Sequence, residues 1–304
     1  MRAIVFEKFG GPEVLRPEET PEPHPGPGQV RVAVRAAGVN PIDWKIRRGW
    51  MEQAFPTPLP AVPGTEFAGV VDEVGEGVTD LAVGDEVLGW SATGAYAQYA
   101  LAKNVTVKPA GLGWAEAAAL PVAGETAVRV LDALGVRDGE TLLLHGAAGS
   151  VGAMAAQLAV ARGATVIGTA SPAGHAFVRS LGAVPVAYGD GLVARVRAVA
   201  PQGVDAVFDT AGKGALPDSI ELRGGTTDRV VTIADMAAQE LGVTFSSGGT
   251  PPEKMRADLA ENARLAAAGT LRVQIARTFP LAEAAAAQET SEAGHAKGKL
   301  VITP

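Results

Sequence analysis

Thr141-Leu142-Leu143-Leu144-His145 runs without a formal charge into Gly146-Ala147-Ala148-Gly149-Ser150-Val151-Gly152, and an alanine-rich stretch, 153–162, follows. The order is apolar strand, small-residue turn, helix. A helix N-terminus carries unpaired N–H groups and the positive end of the helix dipole. With no side chains in the way, a pyrophosphate can approach that backbone closely. The spacing is G-x-x-G-x-x-G rather than the dinucleotide G-x-G-x-x-G, so the turn by itself also fits a tight connection without a ligand. Its surroundings favour the nucleotide. Strand patterns at 141–145, 165–169, 184–187, 205–209, 229–233 and 243–246 alternate with helical ones, notably 151–162 and 174–181. Such repetition predicts a doubly wound, Rossmann-type parallel sheet covered on both faces.

Outward from this centre the pattern changes. Residues 1 to about 110 read as β-rich, with Val30-Arg31-Val32-Ala33-Val34-Arg35-Ala36 alternating at period two. Strands at 67–74, 85–90 and 95–102 are separated by glycine-containing turns. Residues 114–134 read as helix broken at Pro121. In the tail, helix is expected at 252–268 and 281–291, and strand at 271–277 and 299–302. Periodicity leaves open whether this tail extends the parallel sheet or returns to the β-rich region.

The chain has 304 residues and a formal charge of −7. That length suggests two domains. An acidic balance argues against nucleic acid as partner. No apolar run is long enough to span a bilayer, and the N-terminus does not resemble a signal peptide, so a cytoplasmic protein is expected. With no cysteine and only four scattered histidines, Cys-ligated zinc, Fe–S clusters and thiolate nucleophiles are excluded.

The choice of nucleotide follows from the second strand of the repeat. An NAD site places Asp or Glu about 20 residues beyond the turn, on the ribose 2′-hydroxyl. Here Ile167-Gly168-Thr169-Ala170-Ser171-Pro172 contains no carboxylate. Ser171 offers a hydroxyl, His175 and Arg179 offer cationic groups further on (Arg179 equally fits a solvated helix face), and Tyr188 follows the third strand. These favour NADPH, with its 2′-phosphate, over NADH.

Together these features resemble the zinc-free quinone oxidoreductases of the medium-chain dehydrogenase/reductase superfamily. Ala36-Ala37-Gly38-Val39-Asn40-Pro41-Ile42-Asp43 is similar to the family's A-x-G-x-N-x-x-D element. Pro63-Gly64-Thr65-Glu66 sits where zinc alcohol dehydrogenases have G-H-E, and Val83-Gly84-Asp85-Glu86-Val87 resembles the G-D-x-V turn. Residues 117–127 resemble the lead-in helices and 294–301 the closing strand. The resemblance implies a GroES-like β-rich domain at 1–115, completed by 270–304, and a Rossmann domain at 116–269, with nicotinamide and substrate meeting between them. Thr65 stands where the zinc enzymes have a histidine ligand.

For this chain the resemblance implies hydride transfer to a quinone or an α,β-unsaturated carbonyl without zinc. It points to Asn40, Asp43 and Lys45 as catalytic residues. Asp43 also reads as a turn or cap residue tied to the backbone, and Lys45 as a surface cation. Thr126, Gly146, Gly149, Ser150, Val151, Gly152, Ser171, His175, Arg179, Tyr188, Thr232, Ile233, Ala234 and Phe245 form the expected cofactor site. Trp44, Trp50 and Phe55 read more simply as core than as a substrate cover, and Tyr96 as packing. The segment 212–225 departs from the family's helix and turn, so a different loop is expected there. Two other readings share the fold: an enoyl-thioester reductase, and a non-catalytic nucleotide-binding protein. The sixth strand, at a sheet edge, suggests a homodimer.

Overall fold

The computed structural model describes residues 1–294 and 296–304. His295, part of the closing motif, lies outside the described residues. The chain divides into two compact units, Met1–Val122 with Pro251–Pro304, and Ala123–Thr250. The sequence reading set these boundaries at 115 and 269.

The first unit begins with β1 (Arg2–Val5), β2 (Arg16–Glu19), β3 (Val30–Val39), α1 (Pro41–Arg47), β4 (Glu66–Val74), β5 (Glu86–Trp90), β6 (Tyr99–Ala102), β7 (Asn104–Val107) and α2 (Trp114–Ala118). Helix α3 (Pro121–Leu134) starts at the proline that breaks the helical run and leads into the second unit. There follow β8 (Thr141–His145), α4 (Ser150–Ala161), β9 (Thr165–Ala170), α5 (His175–Ser180), β10 (Val184–Ala187), α6 (Leu192–Val199), β11 (Ala206–Asp209), α7 (Leu216–Leu222), β12 (Val230–Thr232) and β13 (Thr244–Phe245). The chain returns to the first unit with α8 (Pro252–Ala267), β14 (Ile275–Pro280), α9 (Ala284–Glu292) and β15 (Lys299–Thr303).

The sheet of the second unit is parallel, in the order β10-β9-β8-β11-β12-β13. Leu142, Leu143 and Leu144 at its centre are fully buried, as expected for a strand covered on both faces. The order in which strands are added reverses between β8 and β11, the switch point at which such sheets open a crevice.

The sheet of the first unit runs β14-β15-β3-β4-β5-β7, with β6 also paired to β3. The tail therefore does return to the β-rich region: β15 pairs antiparallel with β3, setting Leu300 opposite Val39 and Val301 opposite Gly38. Side chains of β3 alternate from Val30 to Arg35 and are then buried through Val39. At Gly38 a Cβ would meet the Glu66 carboxylate at 2.1 Å and the Ala118 carbonyl at 2.7 Å. Glycine is needed there so that an acidic side chain and the end of α2 can both close on the strand.

Three details correct the sequence reading. The strand expected at 271–277 lies at Ile275–Pro280, because the same alternation continues into its second half. A helix, α7, occupies 216–222, where a departure from helix was expected. Trp50 is 66% exposed and Phe55 47%, so neither is core. Both lie in the turn segment between α1 and β4.

Candidate functional site

Helix α1 begins a buried polar cluster in the first unit. Asn40 is its N-cap, in extended backbone, Pro41 fills the first helical position, and Asp43 stands at the third. The Asp43 carboxylate turns back to accept the Asn40 N–H at 2.8 Å, as an acidic residue at this position does in a capping box. The other contacts come from distant segments. Tyr96 donates its hydroxyl to Asp43 Oδ2 at 3.1 Å, and Thr65 donates to Oδ1 at 3.2 Å. Asn40 Nδ2 donates to Glu66 Oε1 at 2.7 Å and reaches Thr65 Oγ1 at 3.4 Å.

Behind these lies a buried ion pair. Lys299, the first residue of β15, pairs with Glu66 and donates to Asn40 Oδ1 at 2.6 Å. The second Glu66 oxygen accepts the Val122 N–H at 2.7 Å. Asn40, Asp43, Glu66, Tyr96 and Lys299 are all buried, while Thr65 is partly exposed. Burial, with the nearby Glu66 charge adding to it, raises Asp43 to a pKa of about 7 against the pull of the Asn40 N–H, Lys299 and the Tyr96 hydroxyl. Burial likewise raises the Tyr96 phenol well above its usual range.

Asn40 and Asp43 are thus brought together, and Asp43 is a helix cap as well as a member of the cluster. Lys45 is not part of it. That side chain is half-buried, its ammonium 5.7 Å from the Trp44 ring centroid, and burial lowers its pKa. Trp44 in turn meets Trp50 edge to face at 5.5 Å. Sequence reasoning missed Glu66 and Lys299 as site residues and assigned Tyr96 to packing. Their only local signal was Glu66, beside the threonine that replaces the histidine of the zinc pattern.

The second unit gathers most of the expected cofactor residues along the carboxyl edge of its sheet. Strand β8 ends at His145, and Gly146 follows with φ +75°, a conformation open to glycine. At Gly152 a Cβ would lie 2.1 Å from the Gly146 carbonyl, so α4 packs directly on the turn. Gly149 is the N-cap of α4, and a Cβ there would touch only the Gly146 carbonyl, at 3.4 Å. The N–H groups of Ser150, Val151 and Gly152 open the helix, ahead of any helical carbonyl. Ser171 follows β9, His175 starts α5, Tyr188 follows β10, and Phe245 ends β13. Arg179, exposed, lies one helical turn beyond His175. Thr126, on α3, is buried with its hydroxyl 3.4 Å from Glu125 Oε2.

At the ends of β11 and β12 the polar groups are committed to the fold. Thr232 donates to buried Asp209 at 2.7 Å and accepts the N–H groups of Ala234 and Asp235. Ile233 is held by its N–H on the Asp209 carbonyl at 3.1 Å. Asp209 also accepts from Ala211 and Gly212, which fixes the loop after β11. Behind the glycine turn, His145 is fully buried and its pKa lowered by that burial. Its Nε2 lies 2.9 Å from Ser219 Oγ, which donates to the Ala215 carbonyl at 2.6 Å. Its Nδ1 faces Thr169 Oγ1 at 3.4 Å, and that oxygen accepts the Gly146 N–H at 3.2 Å. These directions fix a neutral ring protonated at Nε2.

Comparison with known proteins agrees with this architecture. Residues 26–130 match the alcohol dehydrogenase GroES-like domain and residues 181–302 the zinc-binding dehydrogenase family. A quinone oxidoreductase of Pseudomonas aeruginosa is 35% identical, over 100% of this chain and 99% of its own length. The structure of the quinone oxidoreductase from Coxiella burnetii superposes with a TM-score of 0.89 at 34% identity, covering 100% of this chain and 99% of that one. The Escherichia coli quinone oxidoreductase complexed with NADPH superposes at 0.87 with 28% identity, over the whole of both chains. The chain belongs to the medium-chain dehydrogenase/reductase superfamily. Within it, the full-length likeness is to the quinone oxidoreductases.

The zinc that one family name implies does not fit these residues. The chain has no cysteine, Thr65 is a poor donor in the histidine's place, and no three His, Cys, Asp or Glu side chains among the described residues form a group able to hold a metal. Nor is any helix among the described residues long and apolar enough to cross a membrane.

Proposed function

We propose that the chain is an NADPH-dependent reductase of quinones or α,β-unsaturated carbonyls that works without zinc. The observation that carries this reading is the glycine turn from Gly146 to Gly152, which opens α4 at the carboxyl edge of the parallel sheet next to its switch point. The residues present fit a dinucleotide. The open side of Gly149 leaves room for a pyrophosphate against the N–H groups of Ser150, Val151 and Gly152. A 2′-phosphate finds no carboxylate after β9, and it finds Ser171, the Arg179 guanidinium and the buried, unpartnered Nε2 of His175. Tyr188, 61% exposed, is free to cover the adenine. Ile233, Ala234 and Phe245 would line the nicotinamide side and Thr126 its phosphates.

When bound, the reduced nicotinamide supplies a hydride. The protein's tasks are then to hold the acceptor, exclude water and deliver a proton. The first-unit cluster around Asn40 and Asp43 is suited to the last of these. Asn40 is held by Lys299 on its carbonyl and by Glu66 on its amide, so it presents one fixed face. Lys45, half-buried, would hold an electron-rich carbonyl oxygen.

Fluorescence titration with NADPH and NADH, comparing wild type with Ser171→Asp, tests the cofactor. Preference for NADPH, lost in the variant, supports the reading, and binding of neither nucleotide refutes it. NADPH oxidation that depends on an added quinone or enone tests the reaction and separates it from a non-catalytic role. We also propose a homodimer formed through β13, a two-residue edge strand with both side chains exposed. A monomer mass by light scattering at micromolar protein would refute that.

A further inference from the structure

We infer that Thr65 is the proton donor to the reduced substrate and that Asp43 stands behind it as the acid that reprotonates it. This rests on reading the site as a quinone or enone reductase. The argument comes from the accounting of oxygens around Asp43. Oδ2 already accepts two donors, the Asn40 N–H at 2.8 Å and the Tyr96 hydroxyl at 3.1 Å. Oδ1 faces the Thr65 hydroxyl alone among the described residues, at 3.2 Å. A proton on the carboxyl group therefore sits on Oδ1 and points at Thr65 Oγ1. In that state Thr65 accepts from Asp43 and its own hydrogen is free to point elsewhere. When Asp43 is ionised the direction reverses, and the Thr65 hydrogen is held by the carboxylate.

The position of Thr65 in the cluster completes the argument. Asn40, Asp43, Glu66, Tyr96 and Lys299 are sealed from water, and Thr65 is the partly exposed member. The charged groups facing Asp43 are Glu66 on β4 and Lys299 on β15, which neutralise each other as a pair. Tyr96, the remaining titratable neighbour, is neutral. Burial then decides the state of Asp43 and keeps it a proton donor up to about pH 7.

The step balances without another reactant. Once hydride has reached the substrate, the former carbonyl oxygen is an oxyanion. The Thr65 O–H bond breaks as a new O–H bond forms on the substrate, giving a quinol or an enol. Thr65 Oγ1 takes the proton from Asp43 Oδ1 in the same movement, so Thr65 ends as a hydroxyl and Asp43 as a carboxylate. Between turnovers Asp43 recovers a proton from water through Thr65.

Two measurements test this. In the first, kcat and kcat/KM for a neutral quinone are followed against pH. Wild type is expected to lose activity above about pH 7, and Thr65→Val to lose roughly 100-fold in kcat with KM little changed. Thr65→Ser keeps most of the rate and the same alkaline limb. The second uses the protein alone, without nucleotide. Infrared spectroscopy should show a carboxylic acid band, absent in Asp43→Asn, that titrates near neutral pH and moves in frequency in Thr65→Val. Unchanged kcat and pH profile in Thr65→Val, or an Asp43 already ionised at about pH 5, overturns the relay while leaving the reductase reading intact. Failure of wild type to reduce any quinone or enone overturns that reading, and the donor role with it.

Discussion

Replacing Lys299 by methionine tests how the buried cluster is held. The side chain is 2% exposed and its partner Glu66 is fully buried. Removing one member of a buried pair leaves the other charge uncompensated and costs about 3–5 kcal/mol. Glu66 keeps two donors, the Val122 N–H and Asn40 Nδ2, each at 2.7 Å, which places its share near the lower end, about 3 kcal/mol. The Asn40 carbonyl loses the hydrogen bond from Lys299 and adds about 1 kcal/mol. The expected loss is therefore roughly 4 kcal/mol, a fall of about 1–2 M in the urea midpoint of the first unit. The assay is tryptophan fluorescence, since the four tryptophans, Trp44, Trp50, Trp90 and Trp114, all lie in that unit. Adding Glu66→Gln should recover about half of the loss by removing the stranded charge. A loss below about 1 kcal/mol for Lys299→Met, or no recovery in the double variant, would refute the reasoning.

Further outcomes follow from other details. Asp43 binds its proton more tightly folded, with a pKa of about 7, than unfolded. Asp43 should therefore contribute stability fully below about pH 4 and lose up to about 4 kcal/mol of it as the pH rises to 7, and Asp43→Asn should remove this part of the slope in urea titrations. Gly152→Ala should cost about 2–3 kcal/mol, because its Cβ would meet the Gly146 carbonyl at 2.1 Å. Gly149→Ala should cost less than about 1 kcal/mol yet weaken nucleotide binding, as thermal denaturation and fluorescence titration would together show. Ser219→Ala leaves the buried His145 N–H without an acceptor and should cost about 1–3 kcal/mol, read by thermal denaturation.

The parallel sheet was legible because short apolar strands alternate with helical stretches, around a central strand with an unbroken apolar run. Leu142 to Leu144 needed no tertiary context to be placed. The tail was harder, since the alternation in 271–280 is the same at several registers and only pairing with β15 chooses one. Short helices such as α1 were missed because a proline at the first position reads as a break until the N-cap before it is recognised. The polar cluster was half visible. Asn40 and Asp43 are three residues apart and fall within one short motif, whereas Lys299 reaches Asn40 across 259 positions. No local pattern marks one lysine in a closing strand as buried.

The placement of Lys299 also has a consequence for the order of assembly. The second unit, Ala123–Thr250, is an insert between two parts of the first, so its whole sequence is synthesised before the strand that completes its host. At about 5–20 residues per second, the interval between Val122 and Lys299 is on the order of ten to thirty-five seconds. Once Thr250 has been added the insert has everything its sheet requires, while until Lys299 arrives Glu66 waits with an unanswered charge and β3 with an open edge. The nascent chain then carries a finished parallel sheet on an unfinished partner. The step that completes the host is the arrival of the strand that begins at Lys299.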